Sequence, residues 1–134
     1  MPPIVMLCGT GDPEIIKGLL EVTRGCTAGG RSVRLCVSND AAEQREALFA
    51  PVPVIIWDDH GRSGPKVGKH LLDSLLGSDA RQITAEALML GCCWGRTEEF
   101  TRVISRHLAA PIAFLGCDDQ TRQHPRATRV LAPS

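Results

Sequence analysis

The sequence predicts a single α/β domain whose mostly parallel sheet carries helices on both faces. Two observations lead there. Short apolar runs alternate with stretches of helical periodicity, as strand–helix–strand units do, and several of those runs end in glycine-bearing loops. A chain of 134 residues that is 43% hydrophobic can also bury one core without disulfides or metal.

The elements follow in order. Ile4 to Cys8 is an apolar run stopped by Gly9-Thr10-Gly11, which suits a buried strand ending in a tight loop. Asp12 caps a helix with Pro13 at its first position, and Ile15, Ile16, Leu19, Leu20 and Val22 form its apolar stripe up to Gly29-Gly30. Ser32 to Ser38 sets Val33, Leu35 and Val37 against Arg34, as on a strand near a sheet edge, and Ala41 to Phe49 reads as a helix. Pro53 to Trp57 is apolar throughout, the pattern of a strand covered on both faces, and runs into Asp58-Asp59-His60-Gly61. A loop from Arg62 to Pro65 leads to an amphipathic helix with Val67, Leu71, Leu72, Leu75 and Leu76, and a short helical stretch is expected around Ile83 to Glu86.

Ala87 to Leu90 is the next buried strand, ending in Gly91-Cys92-Cys93-Trp94-Gly95, and Thr97 with two glutamates opens a helix through about Leu108. Ala110 to Cys117 is the last clear strand, followed by Asp118-Asp119. Residues 1–122 form the expected domain, and the polar, proline-containing segment 123–134 reads as a tail or linker. Right-handed crossovers fit a 2-1-3-4-5 strand order, with the alternating second run at an edge.

Fifteen basic residues balance fifteen acidic ones, so the charge carries no footprint for nucleic acid or an anionic membrane. The start, MPPIVMLCGTGDPE, lacks a basic segment and a long apolar run, which argues against a signal peptide or membrane span and for a cytoplasmic protein. Of six cysteines, Cys8, Cys36 and Cys117 fall in strand-like runs and Cys26 near a helix end, so reduced thiols are expected. No CxxC pair occurs and Cys92 adjoins Cys93, a poor spacing for zinc; no metal or other cofactor is expected. Gly9-Thr10-Gly11 lacks the third glycine of a dinucleotide fingerprint. His70, His107 and His124 read as surface groups.

In such sheets the loops at the strands' carboxyl ends build the site, and the reactive clusters collect there. If the third and fourth clear strands are neighbours, His60 and Cys93 end strands about 5 Å apart, near enough for an imidazole to serve a thiol. Cys93 also has a helix start just after it, where a thiolate is favoured. Backbone N–H groups of Gly61 and Cys93 are placed to receive the oxyanion of an acyl-transfer intermediate. Asp58, Asp59, Asp118 and Asp119 crowd one sheet edge as candidate substrate-binding carboxylates, and Trp94, like Trp57, flanks the site.

A hydrophobic strand ending in His-Gly, then one ending in small-Cys-x-Gly, here VPVIIWDDHG and ALMLGCCWG, resembles the caspase-like cysteine peptidases. The loop lengths and LAAPIAFLGCDDQT are similar to the CHAT branch, which includes separase, and the likeness spans about residues 31 to 122. It implies a three-layer, caspase-like fold with flavodoxin-like strand order, and endopeptidase activity with His60 as general base or imidazolium partner and Cys93 as nucleophile. Gly61 and Cys93 would supply the oxyanion hole. By analogy with separase, an acidic pocket implies cleavage after a basic residue, with a peptide or protein as substrate and an activating protein as a further partner. Cys92 stands where the family usually has a small residue, so both cysteines remain candidates for the nucleophile. The alternative is a non-enzymatic signalling or scaffold domain, a degenerate peptidase that binds partners.

Overall fold

Five of the apolar runs lie side by side as parallel strands, the first, Ile4–Cys8, burying side chains on both faces of the sheet while the edge strand Val33–Val37 leaves Leu35 and Val37 exposed. The structure is a computed structural model in which residues 2–9, 11–62, 64–77, 81–92, 95, 97–116 and 129–134 are described. In chain order the elements are β1 (Ile4–Cys8), α1 (Pro13–Ala28), β2 (Val33–Val37), α2 (Ala41–Leu48), β3 (Val54–Asp58), β4 (Gly61–Arg62), β5 (Lys66–Val67) and β6 (His70–Leu71). There follow α3 (Leu72–Leu76), β7 (Ala87–Gly91), α4 (Glu98–Ser105), β8 (Ile112–Gly116) and β9 (Arg129–Leu131). The large sheet has the order β2-β1-β3-β7-β8-β9, parallel except for β9, and β4-β5-β6 form a small antiparallel sheet.

The two faces are covered unequally. Val5 and Leu7 of β1 join Leu88, Leu90, Ile112 and Phe114 in a core closed by residues of α2, α3 and α4. The intervening Ile4, Met6 and Cys8 point the other way and pack with Ile15 and Leu19 of α1. Helix α1 is set at its start by Asp12, whose carboxylate accepts the Glu14 N–H at 2.9 Å, and by Pro13. Among the described residues no helix is long and apolar enough to cross a membrane.

Three expectations are corrected. Val67 and Leu71 do not lie on a helix: Gly64 (φ 95°) and Gly68 (φ 62°) take left-handed turns, and Gly61–Arg62, Lys66–Val67 and His70–Leu71 pair as the small sheet, with α3 as the helical part that follows. No helix forms at residues 83–86, because Ile83 bridges Leu108 in parallel and donates its N–H to the His107 carbonyl at 2.6 Å. Within the segment read as tail or linker, Arg129–Leu131 instead forms an edge strand on β8, with Leu131 paired to Ile112 and buried in the main core.

Leu131→Ala should therefore cost about 2–4 kcal/mol in a denaturant-unfolding measurement, the range for emptying a buried leucine site. A loss under about 0.5 kcal/mol, the cost expected in a free tail, would contradict the strand's place in the core.

Candidate functional site

The carboxyl ends of β1 and β3 meet through one buried carboxylate. Asp59, just beyond β3, is 1% exposed. Its Oδ2 accepts the Gly9 N–H at 2.9 Å and its Oδ1 accepts the His60 N–H at 2.7 Å. The His60 carbonyl in turn accepts the Gly68 N–H at 2.6 Å. Glycine is required on both sides of the carboxylate: a Cβ on Gly9 would stand 2.6 Å from Asp59 Oδ2 and 2.4 Å from Gln44 Nε2, and one on Gly68 would stand 2.9 Å from Oδ2. The His60 backbone is thus held from both neighbours.

Its side chain is half-exposed, at 52%, and Nε2 lies 2.8 Å from Asp12 Oδ2. A carboxylate only accepts, so Nε2 carries the proton in this contact and Nδ1 is the nitrogen left to take one. Asp12 is itself steadied by capping α1, where the helix dipole favours a negative charge. Its pairing with His60 escaped sequence reasoning, which read Asp12 as a cap alone; its position just past β1, on the same sheet edge as His60, was the available signal.

The parallel register of β3 and β7 ends with Asp58 opposite Gly91, and His60 and Cys93 stand two residues beyond that pair in their respective segments. Cys93, Trp94, Asp118 and Asp119 lie outside the described residues. Cys92 is 0% exposed and belongs to the main core. The His60 loop and the start of α4 are joined directly, since the Gly64 N–H donates to Glu99 Oε1 at 2.9 Å. In the small sheet the bond between Gly68 and His60 marks a hydrogen-bonded position, so the next pair, Gly61 with Val67, is a non-hydrogen-bonded one and the Gly61 N–H turns away from β5.

The acidic residues divide. Asp58 lies against β7, its Oδ1 3.1 Å from where a Gly91 Cβ would be, whereas both oxygens of Asp59 hold backbone N–H groups. Trp57 is buried at 1% and packs in the core. Among the thiols away from this edge, Cys26 and Cys36 are half-buried, and burial first, then the charge of Glu43, pushes the Cys36 thiol up while Arg34 pulls it down. No group of three or more His, Cys, Asp or Glu suited to a metal ion occurs among the described residues.

Gly9→Ala should lower stability by about 1–3 kcal/mol, because the new methyl must displace the carboxylate that the Gly9 and His60 N–H groups share. Urea unfolding measures this, and an unchanged midpoint would contradict the packing around Asp59. No protein-family model, curated protein or solved structure matches this chain.

Proposed function

We propose that the protein is a cysteine endopeptidase in which His60 and Cys93 form the catalytic pair. The observation that carries this reading is the end of the β3–β7 register at Asp58 and Gly91, from which the histidine and the cysteine are equally spaced. The strand order and the helices on both faces are compatible with a three-layer, caspase-like domain. Core burial of Cys92 favours Cys93 as nucleophile, since side chains alternate along a strand and its extension.

In this reading Nδ1 of His60 takes the thiol proton, and the Cys93 sulfur attacks the scissile carbonyl carbon. The negative oxygen so formed receives the N–H groups of Gly61 and Cys93. The carbon–nitrogen bond then breaks, the departing amine takes the proton from His60, and water deprotonated by His60 releases the peptide acid from the thioester. Asp12 is a positioning residue that holds Nε2–H. Trp94 would line the substrate groove. Asp58, with Asp118 and Asp119, would receive a basic side chain before the scissile bond, while Asp59 serves the backbone. A cytoplasmic setting would keep the thiol reduced.

Peptide cleavage by purified variants tests the pair. Cys93→Ala should abolish turnover, His60→Ala should lower kcat by about two orders of magnitude or more, and Cys92→Ala should lose stability but keep activity. Activity retained in Cys93→Ala and lost in Cys92→Ala would move the nucleophile by one residue. A wild type as inactive as all three variants, with candidate protein partners added, would favour the non-enzymatic binding domain.

A further inference from the structure

We propose that the crevice between the carboxyl ends of β1 and β3 binds a small anion of the phosphate class. In the order β2-β1-β3-β7-β8, the chain leaves β1 toward β2 on one side and returns to β3 on the other. Open parallel sheets take ligands where the connections diverge in this way. A cleft of about 450 Å³ opens there, lined by Gly9, Gly11, His60, Arg62, Lys66 and Lys69, with Asn39 and Asp59 beside them. That volume suits a small ligand.

The charge of the cleft is one-sided. Arg62, Lys66 and Lys69 form no ion pair among the described residues, whereas Arg81, Arg102 and Arg106 are paired with Glu46, Glu98 and Asp73. The carboxylate lining the cleft, Asp59, already accepts two backbone N–H groups, and Asp12 nearby is held by His60 and the start of α1. Since Asp12 caps α1, that helix end is already supplied with an anion and the attraction comes from the side chains.

A second observation points the same way. Arg62 and Lys66 are directly opposed across the β4–β5 ladder. Like charges in cross-strand register repel, and the small sheet retains the pair at a cost that an anion between the two heads would relieve. Lys69, in the turn before β6, adds a third cation to the same cleft. Three cations against one engaged carboxylate match a dianion better than a single carboxylate group. The inference does not depend on peptidase activity, and its test reads binding alone.

Calorimetric titration of the whole chain at constant ionic strength, with inorganic phosphate, pyrophosphate and acetate as probes, decides the matter. Saturable one-site binding of phosphate and pyrophosphate is expected, weakened at least about tenfold in Lys66→Gln/Lys69→Gln and also in Arg62→Gln. Lys17→Gln/Arg24→Gln, which removes two charges from α1, should bind as the wild type does. Circular dichroism verifies that each variant is folded. Absence of saturable heat, equal affinity in the two double variants, or acetate binding as tightly as phosphate would each overturn the proposal.

Discussion

The arrangement of this sheet edge depends on a carboxylate taken out of water. Burying Asp59 is costly unless its oxygens receive donors, and they do so from the backbone of the β1 loop and from the residue that follows it. The cost is turned into a geometric constraint: the β1 loop, the end of β3 and the β5–β6 turn of the small sheet all close on one side chain. Glycines 9 and 68 make the approach possible, and Gly68 also takes the left-handed backbone that starts the turn into β6. His60 inherits its position from this arrangement and needs no packing of its own ring, which is why its side chain can stay half-exposed and meet Asp12.

Around that fixed point the edge has two characters. Toward β7, Asp58 lies against Gly91, Cys92 enters the core, and Glu99 at the start of α4 ties the loop after His60 to the helix that follows the second cysteine. Toward β1 and β2 the side chains are cationic and come from the small sheet. His60 lines the cationic cleft and follows two residues after the Asp58–Gly91 pair. The same two-residue strands that hold the His60 carbonyl through Gly68 also present Arg62 and Lys66, so the local fold serves the position of the histidine and the charge beside it.

The large sheet was legible because its signal is intrinsic: runs such as Val54–Trp57 and Ala87–Leu90 are apolar at every position, and Asp12-Pro13 states a helix start in local chemistry. The small sheet was not, because Val67, Leu71, Leu72 and Leu75 also fit a helical stripe and only the positive φ at Gly64 and Gly68 decides against it. Arg129–Leu131 is short and set in polar sequence; its strand identity comes from pairing with β8. Of the site, the Asp58-Asp59-His60-Gly61 cluster was visible as a cluster, but not the different surroundings of its two aspartates, Asp58 against Gly91 and Asp59 on backbone N–H groups. The Asp12–His60 contact joins positions 48 apart in sequence, and Arg62, Lys66 and Lys69 share a cleft only through turns that no local propensity announces.

The central claim is that His60 activates Cys93, and thiol chemistry tests it most directly. Brief alkylation of the folded protein with iodoacetamide, followed by mass mapping, should modify Cys93 before Cys26 and before Cys36, whose thiol burial pushes up, and the Cys93 rate should fall in His60→Ala while the other rates hold. A Cys93 that reacts no faster than Cys26, or at the same rate with and without His60, would contradict the account.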